Sequence, residues 1–480
     1  MSSYNSLEIG KRALLAQRFG LDVTSNNIAN VNTPGYSRRT AVISESDSLK
    51  LNGHFMGTGV LVDKLQNFRQ DYIDKEIRNA NSLSQNYKNE VEYFQRIETI
   101  LGEPSEKGIN ELTTEFLNKF NELALKPENV PLRDHLIEYT RGMTERFNVI
   151  ANNIADLRAE SFKKLETTVT TANNLIQEIA KLNESISNSK ISSSSEAQSM
   201  VDKREEKLYE LSNFFDIKVT FTDNASSNVF LNGVNLITEN VFSKLEVRET
   251  VNSISGERTA EIVTYDKSNN ITNSLQPQAG SVYSLLNQYN ENLDDVDSSG
   301  NFSTAKGFHS FVNALVQNVN EIAITGFGLD DSGTTPPARA FFEPSVGNAN
   351  GFNIKIADDI INNPRNIPLS SMEKTPGNSD IAKAIARLST DTTFLNGFTP
   401  SGYLSAFIGK VGNMSKEALN GDSTSGLIAD QLKSQRESII GVNLDEEAIN
   451  LVKYQKSFEA SSRIINMTNE ILGTIVNLGR

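Results

Sequence analysis

The side chains able to do chemistry are few and poorly placed for it. Three histidines, His54, His135 and His309, lie far apart, and none falls in the HExxH spacing that sets two imidazoles one helical turn apart on a metal. Each reads as a solvated or core histidine. Asp295, Asp297, Ser299 and Gly300 match the opening of a calcium loop, but Lys306 stands where the bidentate glutamate is required, and a cation there repels the ion. Asp445, Glu446 and Glu447 could pass for paired acids in proton transfer. At the start of a helix they read instead as groups that cap it and offset the positive end of its dipole. There is no GxxxxGK phosphate loop and no GxSxG elbow, and the absence of cysteine removes thiolate and disulfide chemistry. The sequence therefore predicts no catalytic, metal or cofactor site and reads as a protein that is not an enzyme.

The polar residues that remain are asparagines. Asn26, Asn27, Asn30 and Asn32 fall at the end of the first helical stretch and have two readings. They cap and terminate that helix through local side-chain bonds, or they bond to neighbouring subunits, since buried amides fix register between helices. The stretch itself carries Leu7, Leu14, Leu21 and Ile28, a column spaced by seven, until VNTPGY ends the helix at Pro34, Gly35 and Tyr36. A matching column, Leu444, Leu451, Phe458, Ile465 and Leu472, runs through the last forty residues, opened by Asn443 as the N-cap. Seven-residue repeats keep one helix face toward a partner, so the two termini can close on each other as a coiled coil. Each can equally be an ordinary amphipathic helix in a core.

Two stretches carry a resemblance. SNNIANVNTPGYSRR, 25–39, resembles the N-terminal signature of the bacterial flagellar axial proteins, the group of rod, hook and hook-associated proteins. GVNLDEEAINLVKYQKSFEASSRII, 441–465, resembles the C-terminal signature of the hook-associated junction family within that group, and the DEE run after GVNL sets it apart from rod and hook proteins. The resemblance implies a structural role in joining hook to filament by self-assembly into a ring or tube layer. The implied partners are other copies of the chain, the hook protein, the adjoining hook-associated protein on the filament side and an export chaperone at the C-terminus. It also implies export by the flagellar type III route without a cleaved signal, and an extracellular location. The assembly residues it implies are Leu7, Leu14, Leu21, Asn27, Ile28, Asn30, Asn32, Pro34, Gly35, Tyr36, Leu444, Leu451, Phe458, Ile465 and Leu472.

Composition bounds the alternatives. The 480 residues suffice for about three domains, and 38% hydrophobic content suffices for cores. The net charge of −14 with no basic cluster argues against nucleic acid and against an anionic membrane surface. No apolar run in the first twenty residues has the length of a secretory core or a membrane span.

Between the termini the periodicity predicts a mainly α fold: an elongated helical bundle of long helices with one inserted small antiparallel β domain. Helical spacing runs from about Phe68 to Leu101, from Ile109 to Leu125, and from Leu132 to about Ile186, where some fifty residues would make a rod of roughly 80 Å. A shift from Leu157 to Leu165 resembles a coiled-coil stutter. The serine-rich 185–199 reads as a reversal, Met200 to Val219 as a helix handing over to strands, and 216–265 as five short strands. Helices resume over Ser281 to Val296 and Ala305 to Thr325. The GFGLDDSG stretch with Phe341 and Phe342 resembles a family motif, although Glu321, Ile322 and Ala323 replace the histidine often found there. FNIKIA is a strand candidate, and Ile381 to Leu388 and Leu404 to Leu419 are helix candidates, too little for a complete second outer domain. The expected domains are 1–60 with 425–480 as the terminal coiled coil, 61–215 with 270–342 and 380–424 as the bundle, 216–269 as the β domain, and 343–379 as a short mixed segment.

Overall fold

The computed structural model describes residues 2–33, 35–51, 54–102, 108–188, 195–222, 224–251, 253, 258–265, 271–293, 303–344 and 349–478. The calcium-like residues Asp295 to Gly300, and 189–194 of the serine-rich turn, lie outside them. Eleven helices appear in order among the described residues: α1 (Ser2–Ala29), α2 (Asp71–Leu101), α3 (Ile109–Leu125), α4 (Val130–Asn188), α5 (Ser195–Ser212), α6 (Ser281–Asn287), α7 (Thr304–Ala323), α8 (Asp358–Asn362), α9 (Asp380–Arg387), α10 (Pro400–Ile440) and α11 (Leu444–Leu478). The fold is mainly α with small antiparallel sheets. None of the described helices is long and apolar enough to cross a membrane.

The chain divides into two compact units. The first comprises 1–82, 171–244 and 425–480, and the second 83–170 and 245–424. In the first, strand β1 (Arg39–Glu45) pairs antiparallel with β4 (Val60–Asn67), and β2 (Leu49–Leu51) pairs with β3 (His54–Met56) between them. Strands β5 (Ile217–Phe221), β6 (Ser227–Leu231), β7 (Val234–Thr238) and β8 (Val241–Phe242) make a four-stranded meander. Buried Asn183 ties that meander to the end of α4, donating to Ser227 O at 2.8 Å and to Glu239 O at 2.7 Å.

The second unit holds the continuous apolar core, built from α2, α3, α4, α7, α9 and α10. Phe116, Phe120, Phe341 and Phe342 contact one another with ring centroids 5.0–6.0 Å apart, mostly edge-on or tilted, the arrangement aromatic quadrupoles favour. Asn320, buried on α7, fixes the paired phenylalanines. Its Oδ1 accepts from Phe341 N and Phe342 N, both at 2.9 Å, and its Nδ2 donates to Phe342 O at 2.9 Å. Buried Arg133 crosses the same unit, donating to Pro127 O at 2.9 Å and Ile367 O at 2.8 Å. Burial lowers its guanidinium to about 10.

Three expectations need correction. The strands after 216 form two sheets: the meander above, and a three-stranded sheet of β9 (Leu245–Val251), β10 (Arg258–Tyr265) and β11 (Ile271–Leu275) in the second unit. Helix α10 does not stop near Leu419 but runs on through Gly421 and Gly426 to Ile440. Helix α6 ends at Asn287 and gives way to a π turn over Gln288–Asn292. Between Phe342 and α10 the described residues hold β12 (Phe342–Glu343), β13 (Lys355–Ile356), α8, α9 and two 3-10 turns.

Candidate assembly site at the paired termini

Helix α1 ends where its own asparagines turn the chain. Asn30 Nδ2 donates to Asn26 O at 2.9 Å, and Thr33 Oγ1 donates to Asn30 Oδ1 at 3.2 Å. Gly35 then takes φ +77°, the left-handed region open to glycine. Asn30 therefore does the local capping. Asn32 is exposed, and Pro34 lies outside the described residues.

Asn27 does something else. Its amide makes four hydrogen bonds: Oδ1 accepts from Arg39 N at 3.1 Å and Tyr36 Oη at 2.8 Å, while Nδ2 donates to Arg39 O at 2.9 Å and Glu447 Oε2 at 2.9 Å. Arg38 reaches the same helix, Nε to Glu447 Oε1 at 2.9 Å and one terminal nitrogen to Glu446 Oε2 at 2.7 Å. Its backbone N–H also bonds Ile440 O at 2.9 Å. Only 2% of the Glu447 side chain is exposed, and Arg38 and Asn27 satisfy both of its oxygens. Burial raises the Tyr36 hydroxyl, with Arg39 beside it opposing. The start of α11 is capped by Asn443, whose Oδ1 accepts from Asp445 N at 3.0 Å, as the sequence implied. Glu446 and Glu447 lie in the first turn of α11, where the sequence reading put them, and also close an ion pair onto Arg38 after the α1 turn.

The two terminal helices run antiparallel: Gly10 faces Ile465, Gly20 faces Tyr454 and Asn27 meets Glu447. A Cβ on Gly20 would stand 2.6 Å from the Tyr454 ring, so glycine is what permits the approach. The face of α1 turned to α11 is therefore small, with Gly10, Ala16, Gly20, Thr24 and Asn27 all buried. The column Leu7, Leu14, Leu21 and Ile28 lies roughly a quarter turn away at 100° per residue, and each of the four is half-buried. On α11, Leu451, Phe458, Ile465 and Leu472 are half-buried, with Glu447, Tyr454, Ser461 and Thr468 alternating beside them at spacings of three and four. Leu444 is 51% exposed and points elsewhere. Arg38, Glu447 and the glycine line were not among the sequence candidates. The signal for the first two was the complementary charge of the SRR and DEE stretches.

Further apolar side chains of α11 stay in water: Ile449, Val452, Met467, Ile471 and Ile475 are all exposed, Ile475 continuing by seven the column of Glu447, Tyr454, Ser461 and Thr468, and Leu15 and Phe19 on α1 are exposed too. Chemistry has no comparable centre. His135 is exposed, and His309 Nδ1 accepts from Gly351 N at 3.0 Å. Among the described residues no group of three or more potential metal ligands occurs.

Paired termini with outward apolar faces define a class. Residues 7–36 match the family model described as flagella basal body rod protein, and residues 434–478 the one described as flagellar basal body rod FlgEFG protein C-terminal. Together they place the chain among the structural axial proteins of the bacterial flagellum. Residues 94–342, just over half of the chain, match the flagellar hook-associated protein FlgK helical domain. The chain belongs to that hook-associated family. Relatives span it nearly end to end: flagellar hook-associated protein 1 of Bacillus subtilis is 24% identical over 99% of this chain and 98% of its own length, and the Escherichia coli protein of the same name 22% over 97% and 98%. The solved flagellar hook junction protein FlgK from Burkholderia pseudomallei shares the fold, with a TM-score of 0.58 at 13% identity, over 77% of this chain and 100% of that one. The chain is accordingly an exported structural component of the flagellum, where it assembles with other flagellar proteins.

Proposed function

We propose that this chain joins hook to filament as a mechanical connector, with no catalytic step of its own. Many copies assemble into a layer through their terminal helices, hook protein lies on one side, and the next hook-associated protein lies on the other. The observation that carries this reading is the terminal pair: a polar clasp closes it within one chain, while Ile449, Val452, Met467, Ile471 and Ile475 of α11 stay in water. Large exposed apolar stripes on one element mark a surface meant for a partner. The half-buried Leu7, Leu14, Leu21 and Ile28, with Leu451, Phe458, Ile465 and Leu472, lie along the seam of the two helices and add their remaining exposed area to that surface. Leu444 extends it, and Asn27, Asn30, Asn32, Gly35 and Tyr36 set the turn that holds it. An export chaperone shielding the C-terminal helix would cover the same stripe before secretion through the flagellar type III route, without a cleaved signal. The working location is then outside the cell.

Deleting the gene in its flagellated host tests this, read by electron microscopy and by immunoblot of the medium. Hooks without filaments, with filament protein lost to the medium, is the expected result. Normal filaments would overturn it, and loss of the hook itself would mean a rod or hook role.

A further inference from the structure

Within the second unit, helices α2 and α10 come together over a tyrosine ring. The Tyr87 ring lies against Gly421, where an added Cβ would stand 2.6 Å from it. One turn further along α2 is Glu90, and one turn back along α10 is Glu417, whose charge bears on Glu90. Two carboxylates therefore share one helix seam, and like charges oppose each other there. Glu417 is exposed to water, whereas Glu90 is half-buried.

No cation answers Glu90 among the described residues. On α4, Lys164 donates to Glu92 at 3.2 Å, and on α6 the facing group is the Tyr283 hydroxyl, which burial, with the charges of Glu90 and Glu291 adding, keeps protonated. The hydrogen bond that the Glu90 carboxyl does have comes from its own helix, Asn86 Nδ2 to Glu90 Oε1 at 3.0 Å. Asn86 is only 6% exposed, and its Oδ1 is buried without a donor. A carboxylate cannot supply one, because it only accepts; a carboxylic acid can.

We propose that Glu90 is a proton switch on this seam: by taking up one proton from solvent it closes a two-bond ring with the Asn86 amide, stops repelling Glu417, and lets α2 draw onto α10. In that ring Nδ2 keeps its bond to one carboxyl oxygen, and the new O–H on the other donates to Oδ1. Burial raises the Glu90 carboxyl above the usual carboxylate range, against the Asn86 bond and with the Glu417 charge adding. A raised folded value means the contribution is complete below the unfolded value of about 4.3 and is lost as pH rises through the folded one. The seam is thus tighter in acid and looser at neutrality.

The test uses Glu90→Gln in the full chain, since a glutamine amide makes the same two bonds to Asn86 at every pH. Tm is measured for both proteins from about pH 4 to pH 8, and the difference between the two curves isolates this one group. The variant should melt above the wild type near pH 7.5, and the curves should converge toward pH 4. Hydrogen exchange of the α10 amides around Gly421 near pH 7.5 should slow roughly two- to tenfold in the variant, the scale of one net hydrogen bond. A variant with no gain in Tm at neutral pH, or with the same gain at every pH, overturns the proposal. Should Glu90→Gln fail to fold, Glu417→Gln decides: a smaller rise in Tm near pH 7.5 that shrinks toward pH 4 is expected, and an unchanged Tm overturns it.

Discussion

The two units bury different things. The second is organised by aromatic and aliphatic side chains in one contiguous core, with single polar residues such as Asn320 and Arg133 spent on fixing backbone. In the first, the terminal pair meets through glycine, serine, threonine and a four-bonded asparagine, and its large apolar residues are only half-buried or lie exposed. A core of the former kind is complete in one chain. Contacts of the latter kind fix geometry while leaving apolar area for something else to cover, so the two units should answer differently to mutation, acid and concentration.

The comparison can be broken most severely in the aromatic core. Phe341→Ala removes a ring packed against three others and should cost about 3–5 kcal/mol in chemical denaturation, the range for large aromatic deletions. A loss under 1 kcal/mol would mean the core is not what holds that unit. Next comes Glu447→Ala. It strips Arg38 and Asn27 of their buried partner and should cost about 2–3 kcal/mol, less than a fully buried pair because Arg38 is one-fifth exposed. Circular dichroism should show the loss in helical signal, and Arg38→Ala in the same background should add little.

Gly20→Ala is expected to cost about 1–3 kcal/mol by overpacking against Tyr454. The penalty should largely vanish in a Tyr454→Ala background, and a double-mutant cycle without coupling would show the helices are not held that close. A pH titration sharpens the contrast further. Burial alone would raise the Asp331 carboxyl, but hydrogen bonds from Arg339 at 2.9 Å and Gly328 N at 2.6 Å, with the Arg339 charge, hold it below the usual range. Its contribution is therefore complete above the unfolded value of about 3.9 and is lost as pH falls through the lower folded one. Asp331→Asn should flatten the stability curve of the second unit between about pH 4 and pH 2, and an unchanged slope would contradict the assignment. The smallest effect belongs to the exposed pair Arg96 and Glu160, whose side chains are 50% and 56% in water. Arg96→Ala should shift stability by no more than about 0.2–1 kcal/mol, and less in high salt.

Local signals carried much of this fold. Helix α3 has the bounds its glycine and proline flanks imply, and α4 continues through Leu157 and Leu165 without a break. The signals failed where a residue's local meaning and its tertiary meaning diverge. The helix candidate ends at Leu419, yet α10 runs on through Gly421, where a Cβ would meet the Tyr87 ring at 2.6 Å. The glycine makes room for a neighbour within an unbroken helix. The strands after 216 announce themselves one by one, but nothing local says that β8 ends one sheet and β9 starts another. At the termini the heptad leucines were the visible pattern, whereas the approach of α1 to α11 is made by residues with almost no side chain, which periodicity cannot weigh. Asn27 could be seen as important without revealing whether its partners were local or distant.

The partner of Asn27 is 420 residues away in sequence. Closing so long a loop costs only slowly increasing entropy, but it imposes an order in time. While the chain is made from its N-terminus, α1 exists long before α11 and must wait with its glycine face bare. The second unit, whose last segment ends at Thr424, has all its residues before α11 does. Closure of the termini is therefore the latest event in the life of each new molecule, and any agent that delays α11 holds the whole chain in its unjoined form.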